Sequence, residues 1–160
     1  MPTDAHQLHP DHRPTPFSAE EIRLGCRPGR TVRSLVIEAG SEPYAAITRF
    51  VTADDEGADQ EYWRETPDGA QLTEPRRRRS TWLEFQGHAS MPAATTEIAE
   101  ETIEIPAGRF DCLRYTNTDG DEISTFWFAK SAPGMPLKFE QRTNGELTYS
   151  STAIENSTPG

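Results

Sequence analysis

In Leu137-Lys138-Phe139-Glu140-Gln141 the apolar and polar side chains alternate, which predicts a β-strand with one face on a core and one in water. The stretch Ile123-Ser124-Thr125-Phe126-Trp127-Phe128-Ala129 behaves differently. Ile123 and Trp127 share one face, Phe126 and Phe128 the other. A strand apolar on both faces is central and covered on both. Further β-branched and aromatic runs predict strands at 31–39, 43–53, 61–66, 108–118, 136–143 and 146–154, and another ending at Ile105. Between them stand turn signals: Gly40-Ser41-Glu42, Pro67-Asp68-Gly69, Asp119-Gly120 and Asn144-Gly145. An Asx-Gly pair between alternating runs is the strongest short-range hairpin signal, so the sheet is expected to be an antiparallel meander.

Two segments read as helices. Ser18 followed by Glu21 has capping-box spacing, which predicts a short helix over 19–24 ended by Gly25, with Phe17 and Ile22 as a hydrophobic staple. Ser80 before Trp82, Leu83 and Phe85 predicts a second helix over 81–90, stopped near Pro92. The expected fold class is therefore α+β: one strongly curved antiparallel sheet, a half-barrel, with one or two packed helices. Whether helix 81–90 lies inside the curve or outside it is left open by the pattern, and that choice decides whether a cavity exists. Residues 17–154 form the expected domain. Residues 1–16, with four prolines and three histidines, and 155–160 are expected to be disordered tails, because they carry too little apolar surface to offset the entropy of ordering.

Charge narrows the functional classes. Sixteen basic and twenty-six acidic residues in a chain of 160 give a formal net charge of −10, which argues against nucleic acid or an anionic membrane surface as partner. Leu, Ile, Val and Phe together number only 26, a lean core better suited to one sheet than to a sandwich. No run is long enough for membrane insertion. The first residues show no basic start followed by an apolar stretch, so the chain is expected to be cytoplasmic, with Cys26 and Cys112 as reduced structural thiols.

Residues 101–140 carry a resemblance. Ile105-Pro106-Ala107-Gly108 leads into Phe110-Asp111-Cys112, and after a hairpin and Trp127 come Pro133-Gly134-Met135-Pro136 and Lys138. This resembles bacterial families of unknown function that share the half-barrel fold of the lipoprotein-carrier superfamily. The resemblance implies a curved sheet wrapped around one or two helices, with an apolar cleft that takes lipid or acyl groups. It implies no catalytic residue.

The chemistry-bearing clusters have plain alternatives. His6, His9 and His12 read as a polar tail rather than a metal site, and Arg76–Arg79 as a solvated loop. Glu84 and His88 read as a surface i, i+4 pair, Cys112 as a small core hydrophobe, and 53–61 as a charged hairpin loop rather than a calcium site. The candidate ligand-binding residues are the aromatics Trp63, Trp82, Phe85, Tyr115, Trp127 and Phe139, since pockets are mainly apolar and aromatic. The resulting expectation is a non-enzymatic protein, without cofactor or metal, that binds a small apolar or acyl ligand in the concave face of the sheet. The alternative is a structural or interaction protein that forms a homodimer through the sheet.

Overall fold

A computed structural model describes residues 4–159. The capping box forms as its spacing predicts: the Ser18 hydroxyl accepts from the Glu21 N–H, and the Glu21 carboxylate accepts from the Ser18 N–H. It opens helix α1 (Ala19–Gly25). Phe17 and Ile22 are both buried in one core cluster, where the staple places them. Four strands follow, β1 (Thr31–Glu38), β2 (Tyr44–Ala53), β3 (Gly57–Glu65) and β4 (Arg76–Thr81). Helix α2 (Trp82–Gly87) and a single 3₁₀ turn (Ala93–Thr95) lead to β5 (Thr96–Ile105), β6 (Gly108–Asp119), β7 (Glu122–Ala129), β8 (Lys138–Thr143) and β9 (Glu146–Ser157). The strands make one antiparallel sheet in the order β4-β3-β2-β1-β9-β8-β7-β6-β5. Two meanders are thus joined by the β1–β9 pair, and the sheet stays open between edges β4 and β5. Register shifts at Arg33/Ser34, Phe50/Thr52 and Gln141/Arg142 mark bulges, which bend and twist a strand. The curl carries the β5–β6 turn back to β9, where the Ala107 N–H donates to the Ala153 carbonyl at 3.2 Å.

The turns follow local chemistry. Asn144 (φ 53°) and Gly145 (φ 82°) both take the left-handed conformation of a two-residue hairpin. The Asp119-Gly120 turn falls one residue later, because Asp119 pairs with Glu122 and the link is Gly120-Asp121.

Several expectations are revised. Strand β3 begins at Gly57 rather than 61, because Asp54 closes a tight turn by accepting from the Glu56 and Gly57 N–H groups at 2.9 and 3.0 Å. A Cβ on Gly57 would lie 2.2 Å from the Ser80 carbonyl oxygen, so close pairing of β3 with β4 requires glycine there. Arg76–Arg79, expected as a loop, form most of the edge strand β4. Charged side chains on an edge hinder unwanted strand pairing. The cap of α2 is Thr81 rather than Ser80, in a second capping box with Glu84, and the helix is shorter than 81–90. Strand β9 extends to Ser157, past the expected boundary at 154.

Residues 1–16 are expected from composition to be a disordered tail; residues 1–3 lie outside the described residues, and 4–16 are ordered. In the structure they lie against α2 and the segment around residues 91–96. The Arg13 N–H donates to the Met91 carbonyl, the Ala93 N–H to the Asp11 carbonyl, and the Tyr115 hydroxyl to the Pro14 carbonyl, at 2.8, 2.8 and 2.6 Å. Buried Gln86 donates to the Ala5 carbonyl and the Thr15 hydroxyl while accepting from the Ala19 N–H. The segment has few apolar side chains of its own, and groups far along the chain satisfy its backbone. His6 bridges Asp4 and Glu21, and His12 bonds Ser90 at 2.8 Å. Among the described residues no cluster of metal-ligating side chains is formed, and no helix is long and apolar enough to cross a membrane.

Candidate functional site: an aromatic row leading to an open groove

Strand β7 divides the core, as its pattern predicts. Phe128 belongs to a helix-side cluster with Phe17, Ile22, Phe50, Trp82 and Tyr115, against which Phe126 packs. Trp127 and Ala129 belong to a second cluster with Val32, Cys112, Leu137 and Ala153. The helix-side cluster draws on β2 and β3 from one wing of the sheet and β6 and β7 from the other. Both helices therefore sit in the hollow, which places α2 inside the curve. Buried Arg30 anchors α1. Its guanidinium donates to the carbonyls of Gly25 and Pro133 and to Asn156, tying the end of α1 to the loop before β8 and to β9.

The helices do not fill the hollow. A cleft of about 190 Å³ remains, lined by Ile22, Phe50, Phe85, Phe126, Phe128 and Met135 among others. From it a row of rings crosses three strands on one face: Phe128 to Phe126 (6.1 Å between centroids), Phe126 to Phe139 (4.8 Å), and Phe139 to Tyr149 (5.6 Å). The row ends at a wider groove of about 660 Å³, lined by Tyr149, Tyr44, Tyr62, Thr48, Arg64 and Arg76 among others. Tyr44 donates to the Glu38 carboxylate at 2.9 Å. Burial, together with that bond, pushes its hydroxyl up to about 12. Burial also raises Tyr149.

The structure separates the six predicted aromatics. Phe85 lines the cleft, Phe139 is the middle of the row, and Trp63 is on the groove's rim. Trp63 also donates to Glu65 at 2.7 Å and lies under Arg49. Trp82 and Tyr115 are core walls, 4% and 2% exposed, each fixed by a hydrogen bond to a backbone carbonyl. Trp127 faces away from the cleft, because one-residue alternation puts it opposite Phe126 and Phe128. There Ile103, Ile105 and Phe110 of the β5–β6 hairpin cover its cluster. Its indole N–H donates to Glu101 at 2.9 Å, and Lys138 lies 4.7 Å over its ring. That indole bond and the nearby Arg114 hold the Glu101 carboxyl below its usual range.

Phe50, Phe126, Phe128, Tyr44, Tyr62 and Tyr149 were not among the predicted residues. Strand alternation shows which residues of one strand share a face; only the register across β2, β3, β7, β8 and β9 brings them to one hollow. Cys26 and Cys112 are both free and buried, and burial raises both thiols. Glu84 turns back to accept from the Thr81 N–H at 2.9 Å, which holds its carboxyl low and commits it to capping.

No protein-family model matches the chain, and no curated protein matches it significantly. Among solved structures it is similar to MucB, with a TM-score of 0.59 and 12% identity over 87% of this chain and 56% of MucB. It is likewise similar to MucB in complex with MucA(peri), at 0.59 and 12%, over 84% of this chain and 51% of that one. The hypothetical protein CT021 from Chlamydia trachomatis gives 0.44 and 10%, over 90% of this chain and 97% of its own. The chain thus spans about half the length of MucB. At this identity the MucB likeness establishes a shared fold.

Proposed function

We propose that this protein is a non-catalytic binding module that holds an apolar chain, such as an acyl group, along the aromatic row of its concave face. The observation that carries this reading is the continuous succession Phe128–Phe126–Phe139–Tyr149, which leads from an apolar cleft beneath the helices to an open groove. Phe126, Phe139 and Tyr149 are only partly buried, so a bound chain has ring faces to cover. The resemblance of residues 101–140 to the lipoprotein-carrier half-barrels supports the same ligand class. A second reading, a protein partner on this fold, is favoured by the structure of MucB with MucA(peri). A homodimer through the sheet belongs to that reading, and mass against concentration in sedimentation tests it.

The test of the first reading uses N-phenyl-1-naphthylamine, a neutral apolar probe that brightens in a dry site. The wild-type protein is expected to bind it, and Phe139→Ala to weaken binding about tenfold, the value of one lost aromatic contact near 1.4 kcal/mol. No binding, or equal binding by a folded Phe139→Ala variant, refutes the reading.

A further inference from the structure

We propose that the ligand of this groove is an amphiphile with a single anionic head, carboxylate or phosphate, and that Arg64 and Arg76 receive that head. The inference rests on the apolar-chain reading above and adds the chemistry of the chain's end.

Its basis is how strands β3 and β4 sort their arginines. Arg79 pairs opposite Asp59 and Arg78 opposite Gln60; Arg77 lies opposite Glu61 and Arg76 opposite Tyr62. Alternation sends Arg77 and Arg79 to the face of Asp59, where they form ion pairs with Asp59 and Asp54. Arg76 and Arg78 go to the opposite face, shared with Tyr62 and Arg64. Among the described residues none of Arg64, Arg76 and Arg78 has a carboxylate within ion-pair distance. Instead, the Arg64 guanidinium lies 4.3 Å over the Tyr44 ring. In a chain of net charge −10, carboxylates are abundant, yet these cations are left on the groove side of the sheet.

Arg64 and Arg76 both line the groove that the aromatic row enters. They are diagonal neighbours across the β3–β4 ladder, roughly 7–8 Å apart at the backbone, so both long side chains can reach one small anion. Guanidinium is the side chain best matched to carboxylate and phosphate oxygens. Of the acids nearby, Glu38 is engaged, accepting the Tyr44 hydroxyl, while Glu74 lines the groove. An apolar chain laid on Phe126, Phe139 and Tyr149 therefore ends beside two cations that have no carboxylate partner.

The experiment displaces bound N-phenyl-1-naphthylamine at pH 8 with dodecanoate below its micellar concentration, with dodecanol within its solubility, or with inorganic phosphate. Dodecanoate is expected to displace the probe at about a tenfold lower concentration than dodecanol, a modest effect for charge-assisted hydrogen bonds. The preference should shrink as salt is raised. In the Arg64→Gln/Arg76→Gln variant that preference of acid over alcohol should vanish. Equal displacement by acid and alcohol, or a preference that survives in the variant, overturns the proposal while the apolar-chain reading stands. Phosphate alone binding as tightly as dodecanoate overturns it in favour of a free small anion. A wild-type protein that binds neither the probe nor either dodecyl compound overturns both readings.

Discussion

Tyr115 gives the sharpest check on how the N-terminal segment is held. Its ring is 2% exposed, and its hydroxyl donates to the Pro14 carbonyl at 2.6 Å. Burial pushes the hydroxyl up to about 12 from an ordinary value of 10.0. Between those values the folded chain keeps a proton that the unfolded chain has lost, so stability falls as pH rises. The contribution is complete below pH ~10, declines by about 1.4 kcal/mol at pH 11, and by about 2.7 kcal/mol well above 12. Tyr44 titrates in the same range, so the wild type alone does not isolate Tyr115; the difference from Tyr115→Phe does. At pH 8 the variant should be less stable by about 1 kcal/mol for the lost hydrogen bond. By pH 11 that gap should close, because phenylalanine has no proton to lose. Urea midpoints at the two pH values, followed by tryptophan fluorescence, measure it. A gap that stays constant from pH 8 to 11 would refute the buried hydroxyl and its bond to Pro14.

Two other substitutions test the placement of side chains. Gln86→Leu keeps the volume but leaves the Ala19 N–H and the Ala5 carbonyl without their partner and removes one bond to the Thr15 hydroxyl; it should cost about 2–3 kcal/mol in urea unfolding and speed chymotryptic cleavage after buried Phe17. Unchanged stability and cleavage would contradict the docked segment. Trp127→Ala should lower stability by about 3–5 kcal/mol, while each folded molecule binds N-phenyl-1-naphthylamine as tightly as wild type, because Trp127 lies on the far face. A loss of affinity matching Phe139→Ala would reverse that assignment.

The features legible in the sequence are those whose causes are local. Ser18 and Glu21 specify the start of α1 within four residues, Asn144-Gly145 specifies its own turn, and the two-faced pattern at 123–129 identifies a central strand without reference to its neighbours. Strand β4 escaped notice because an edge strand needs hydrogen bonds on only one side, and four arginines leave no apolar alternation to read. Residues 4–16 were missed for a related reason: their order comes from Gln86, Met91 and Tyr115, not from their own composition. The site lies between these extremes. Phe85 and Phe139 stand out in the sequence as aromatics of a helix and a strand, and alternation separates Trp127 from Phe126 and Phe128, but which of the two faces lines the hollow depends on the curl of the whole sheet. The arginine pair depends on β3–β4 register, which no turn residue at 67–69 announces.

The central β1–β9 ladder joins residues more than a hundred positions apart, from Thr31↔Ser157 to Glu38↔Tyr149. Every other ladder closes over a much shorter stretch of chain. Loop closure makes such a distant contact entropically late. The two meanders are thus expected to gather first as separate halves, and the seam between them to set the pace of folding. The hollow spans that seam, with the aromatic row on one side and Arg64 and Arg76 on the other. Neither half alone holds both ends of the groove, so ligand binding comes into being in the same step that commits the chain to its native state.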